Sequence, residues 1–174
     1  MQPVSEYRRL IKFLLGSAAF LFVGTVHGVV QVLPPIRAWL DSVGSPISGP
    51  GHMIDPLAHA HINVVGGLVI LGMAMTYYLL TTISGKAVWS QRLVDHSFWW
   101  TALGVSGFYS TLLVFGLIEG NLMLSNPAAM PDVHRFYAPV MSVVSTVMGM
   151  GFWIFFTNVF FTVKAIYRNP GNDA

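Results

Sequence analysis

The sequence contains no cysteine, so the chain by itself forms no disulfide, ligates no iron–sulfur cluster and attaches no c-type heme covalently. It is equally poor in charge. Only 9% of its 174 residues are charged, against about a quarter in an ordinary soluble domain, while 54% are apolar. Too little polar surface is available for a second, water-exposed domain. The formal net charge of +2 comes with no basic patch interleaved with aromatics, so nucleic acid is not an expected partner.

What the chain does have is four long apolar runs. Charge almost vanishes over 13–33, 57–83, 98–118 and 136–163, and each run reaches or passes the ~20 residues that cross a ~30 Å hydrocarbon core. Backbone groups in lipid must be satisfied within the segment, which makes these runs helices. The predicted fold is all-α, an integral membrane four-helix bundle forming one domain over 1–174, with helices at about 10–34, 57–83, 95–119 and 135–165. Arg8, Arg9 and Lys12 before the first run resemble the start of a secretory signal, yet the run is too long and lacks a small-residue cleavage site, so it reads as a retained helix. Pro34 and Pro35 stop it. The following 36–41 segment mixes apolar and charged residues as an interfacial helix would, and 44–51 is rich in Gly and Pro as a loop would be. Arg8, Arg9, Lys12, Lys86, Arg92, Lys164 and Arg168 fall on one side, Arg37 and Arg135 on the other. Both termini are therefore expected to be cytoplasmic.

Histidine carries the chemical signal. His27, His52, His59, His61 and His134 all fall at or near the outer side, whereas His96 lies a membrane away. Residues two apart on an α-helix point roughly 200° from one another, so His59 and His61 face opposite ways and cannot grip one ion as an i, i+4 pair would. Gly66 and Met73 follow on the His59 face, Leu68 and Gly72 on the His61 face. A small residue below each ring leaves space for a flat group, which favours porphyrin over a bare ion. At ~1.5 Å per residue, His27 lies roughly 10 Å below Pro34 and His61 roughly 6 Å below Leu57, similar depths on adjacent helices. The expected cofactor is thus heme b, one or two, with His27 and His61 as axial ligands and His59 as a second-site ligand or facing a partner. Arg37 and Arg135 are placed to meet the propionates. His52 and His134 read as interfacial residues, Asn63 as a packing hydrogen bond, and Trp39, Trp89, Trp99 and Trp100 as interface anchors.

The stretch Ala58-His59-Ala60-His61, with Gly66 and an aliphatic run ending in Tyr77-Tyr78-Leu79-Leu80, resembles the tenth helix of subunit I in the heme-copper oxidase superfamily. Its C-type oxidase and bacterial nitric oxide reductase branches are the most similar. The resemblance continues through Trp89, Leu93, the 96–100 stretch with Gly104, then 116–120, and Arg135-Phe136-Tyr137, covering about 55–165 as a short four-helix form. It implies that His59 holds the position of the high-spin heme ligand and His61 that of the low-spin heme ligand. The earlier helices that carry the opposite low-spin ligand and the three histidines of the second metal have no counterpart here, and His27 lies outside the resemblance.

These readings lead to a b-type heme-binding, multi-pass subunit of a bacterial or archaeal cytoplasmic membrane, transferring electrons within a respiratory or redox complex and not catalytic alone. The expected partners are membrane lipid and other subunits of that complex, with a cytochrome c or a quinone as candidate electron partner and a homo-oligomer also open. Two alternatives stand beside it: the catalytic subunit of a split oxidase or nitric oxide reductase, and a heme-free membrane anchor or assembly subunit.

Overall fold

A computed structural model describes residues 4–168, which contain helices and no strand. Helix α1 (Val4–Gln31) is followed by the short α2 (Pro34–Ser42), then by α3 (Gly49–Ser84), α4 (Gln91–Ser125), a one-turn α5 (Met130–His134) and α6 (Tyr137–Arg168). Four helices, α1, α3, α4 and the 127–168 segment that contains α6, are long and apolar enough to cross a membrane. They run up and down, so that one end of the bundle gathers Arg9, Lys12 and Asp95 and the other gathers the histidines.

The helix limits differ from those predicted, for local reasons. Leu33 takes an extended conformation (φ −60°, ψ 133°) ahead of Pro34, so α1 stops at Gln31. Helix α3 starts inside the Gly- and Pro-rich loop, because Pro50 suits a first helical turn whose N–H would be unpaired anyway. It bends at Asp55, whose φ of −130° and ψ of 111° leave the helical range, and the following Asp55–Pro56 bond is cis. Wider π-helical turns at Met53–Ala58 and Ile62–Val69 flank the α-helical His59–His61 step. Gly85, at φ +65°, supplies the left-handed residue that ends α3.

Lipid is as apolar as leucine, so helices in it associate through close packing and hydrogen bonds rather than through water exclusion. Two seams show this. Between α1 and α3, a Cβ on Gly24 would collide with the Asn63 amide, and one on Gly66 would stand 2.7 Å from Phe20; Ser17 adds a buried hydrogen bond to the Gly67 carbonyl at 2.9 Å. Between α4 and α6, a Cβ on Gly104 would strike the backbone of Met148. At the basic end Phe13, Tyr77, Phe98 and Phe155 pack edge to face or tilted around the core, and Arg9 and Lys12 both pair with Asp95.

The connection from α3 to α4 is fastened by α6. Asn158, fully buried, accepts from Ser90 N–H and donates to the Ser90 carbonyl, both at 3.0 Å, while Thr162 Oγ1 accepts from Trp89 N–H at 2.9 Å. Replacing Asn158 by Ala leaves Ser90 N–H unpaired and the Ser90 carbonyl with Val94 N–H alone, at 3.3 Å. The expected cost is about 1–3 kcal/mol of stability, read as a lower midpoint of thermal unfolding in detergent; an unchanged midpoint would show that the clamp is idle.

Candidate functional site

The histidine end is built by the α1–α3 seam. Close contact at Gly24 continues to Gly28, where a Cβ would stand 3.1 Å from His59 Nε2. This brings the His59 ring to 5.4 Å from the His27 ring, tilted by 52°. Gln31 Nε2 lies 3.2 Å from His59 Nδ1, and Asn63 donates to the His59 carbonyl at 2.8 Å. From α4, the Tyr109 hydroxyl reaches His27 Nδ1 at 3.2 Å, its ring meeting the imidazole at 65°. His27, Gln31, His59 and Tyr109 thus form one polar network inside an apolar bundle, as intramembrane polar groups must if each is to find a partner. One atom of it, Gln31 Oε1, is buried with no partner among the described residues.

His61 stands apart, turned away from that network. Its ring lies against Phe108 of α4 at 4.4 Å and 30°, and its Nδ1 is 2.8 Å from the Leu57 carbonyl. A carbonyl only accepts, so Nδ1 carries the proton and Nε2 keeps the lone pair, the tautomer that a metal-ligating imidazole needs. The ring is half-buried, and Leu68 on the same face is 59% exposed. Helix α6 packs on α3 mainly nearer the basic end, through Tyr77 and Phe155, so this face is open at the level of His61.

The expected axial pair of His27 and His61 is therefore not what the fold assembles; His27 meets His59 instead, and His61 points elsewhere. A porphyrin between His27 and His59 does not fit either, because the rings stand 5.4 Å apart and the seam is closed at Gly24 and, against the His59 ring itself, at Gly28. A cavity of about 570 Å³ between α1, α2 and α4 borders His27 and Tyr109, but no second histidine and no methionine lines it. Of His27, His59 and His61, the histidines within the spans at this end, only His61 combines the tautomer of an axial ligand with an open face. Among the described residues there is also no group of three or more His, Asp or Glu arranged to hold a bare ion.

Arg37 is already held by carboxylates, whereas Arg135 is exposed and loosely engaged. Arg37 donates to Asp41 and Asp55, each at 2.5 Å, and to Ser45 at 2.7 Å, which straps α2 and the following loop to the bend of α3. Those hydrogen bonds, Asp41 first, push its pKa above its already high ordinary value. Arg135 lies over the Phe136 ring at 4.8 Å, with Asp132 no nearer than 4.0 Å. Trp39, expected as an interface anchor, packs onto α4, where a Cβ on Gly120 would stand 2.8 Å from its ring. His52 Nδ1 bonds the Pro46 carbonyl at 2.5 Å, and His96 is exposed at the basic end. Three site residues were missed: Tyr109 and Phe108, which gave no signal within an apolar helix, and Glu119, which is 2% exposed and holds His134 Nδ1 at 3.0 and 3.1 Å through its two oxygens. The signal for Glu119 was a carboxylate at the very edge of an apolar run, next to a histidine across a short loop.

Compared with protein-family models, with curated proteins and with solved structures, the chain matches none of them. The residues must carry the functional argument by themselves.

Tight approach at Gly24 sets the His27–His59 contact, whereas Gly72 has nothing within 4 Å of where its Cβ would lie. Gly24→Val is expected to part the seam and lower stability by about 1–3 kcal/mol, while Gly72→Ala leaves it unchanged or slightly higher. Thermal unfolding of the two variants side by side checks this, and equal effects would refute the seam.

Proposed function

We propose that this protein is a membrane subunit that carries a b-type heme on His61, at a face completed by another subunit of a redox complex. The observation that carries the reading is the His61 hydrogen bond to the Leu57 carbonyl, which leaves Nε2 as a neutral lone-pair donor on an open side of the bundle. Phe108 fixes the ring from the α4 side. The position of His61 in the Ala58–His61 stretch that resembles the oxidase helix supports the same assignment. Bound there, heme b supplies a one-electron couple between ferric and ferrous iron.

The chain's own residues do the remaining work. Leu57 sets the tautomer, Phe108 shields one face of the ring, and the closed seam keeps His59 and His27 engaged with each other and with Gln31 and Tyr109. The second axial ligand is then a partner's. The Lys and Arg distribution supports a cytoplasmic membrane with both termini on its cytoplasmic side, which puts the histidine end, and the heme, toward the outer face.

The test is the reduced-minus-oxidised spectrum and pyridine hemochrome content of the protein co-purified with its native partners. A b-type spectrum that His61→Ala reduces by at least about tenfold, and that His27→Ala leaves in place, is the expected result. A colourless intact complex would overturn the reading and leave a heme-free anchor; loss of heme with His27→Ala alone would return the site to α1.

A further inference from the structure

A second site lies on the other side of α3 from the His61 face, in the cavity of about 570 Å³ between α1, α2 and α4. Most of its wall is aliphatic or aromatic, including Val26, Trp39 and Leu113, and its polar lining includes His27, Gln31 and Tyr109. Volume and character match a small-molecule site, apolar with a few convergent polar groups. Its α1 rim faces the apolar exterior: Phe22 is 69%, Val26 46% and Val30 41% exposed. In a membrane, that opening gives onto lipid rather than water.

We propose that this cavity binds the ring of a lipid-soluble quinone. His27 lines the cavity from α1, and the Tyr109 hydroxyl, 3.2 Å from His27 Nδ1, fixes the imidazole so that the pair keeps one N–H or O–H to donate to a ring oxygen. Gln31 stands behind this pair, its Nε2 3.2 Å from His59 Nδ1. Trp39 on α2 supplies an aromatic wall, and the isoprenoid tail leaves past Phe22 and Val26 into lipid. An acyl chain alone would leave that donor facing hydrocarbon, which costs free energy that a ring oxygen recovers. A heme would lack an opposite ligand here. The assignment concerns binding only and does not depend on heme at His61.

The full chain in phosphatidylcholine nanodiscs, titrated with a ubiquinone analogue bearing a ten-carbon tail, provides the test through tryptophan emission. Quenching that saturates is expected, because Trp39 borders the site. Trp39→Phe should remove most of the saturable component, and Leu113→Phe, which fills the cavity without touching the donors, should abolish it. Tyr109→Phe should weaken apparent affinity about tenfold. Helical circular dichroism confirms that each variant is folded. Quenching that rises linearly with added quinone, or saturation that Leu113→Phe leaves intact, would overturn the proposal. So would loss of the saturable quenching when decanol is added at a concentration equal to that of the quinone analogue, since that would show an acyl-chain pocket. Heme content is read on the same samples, so a failure here and a failure at His61 are separate results.

Discussion

Close contact between the backbones of α1 and α3 is the constraint on which the rest of this bundle depends. The four long helices have the composition of spans, for which lipid provides no water-driven collapse, and the absence of side chains at Gly24, Gly28 and Gly66 lets the backbones pack closely instead. Once the two helices touch there, the rotation of α3 is fixed. His59 must face α1, and His61, about 200° further round, must face away. A single packing choice thus divides two neighbouring histidines between an internal network and an open surface.

The two ends of the bundle are closed by different means. At the basic end, Asn158 and Thr162 of α6 satisfy backbone groups before α4, and Asp95 takes both Arg9 and Lys12. At the histidine end, Arg37 ties α2, the loop at Ser45 and the bend at Asp55 into one strap. That strap positions Trp39 and Leu40 over the cavity beside His27. Arg37 therefore acts on the site through shape rather than through its charge. Glu119 and His134 form a further buried contact that anchors α5 to α4 at the same end.

Much of this was legible in the residues. Hydropathy gave four spans, the paired prolines gave the end of α1, and the 36–41 pattern gave α2. The opposite facing of His59 and His61 also followed from helical periodicity, and Gly66 does lie buried below His59 while Leu68 lies exposed below His61; Asn63 packs against Gly24 as expected of a packing residue, but its hydrogen bond goes to the His59 carbonyl of its own helix. The match of depth between His27 and His61 did not make them partners, because depth along two helices says nothing of how either is turned. The propionate role of Arg37 had no support for a similar reason: a charge count does not show which carboxylates already hold a guanidinium.

The sequence by itself determined an all-helical chain with four spans suited to a membrane, the end at which five of its six histidines gather, and the absence of any thiol chemistry. These properties depend on composition and on local period, which neighbouring helices do not alter. Only the tertiary structure decided that His27 meets His59, that Tyr109 and Gln31 complete that network, and that His61 keeps a free nitrogen on the outside. Those outcomes depend on the rotation and separation of helices, set where glycines of one face side chains of another, and contacts so distant in the chain leave no periodic trace in it.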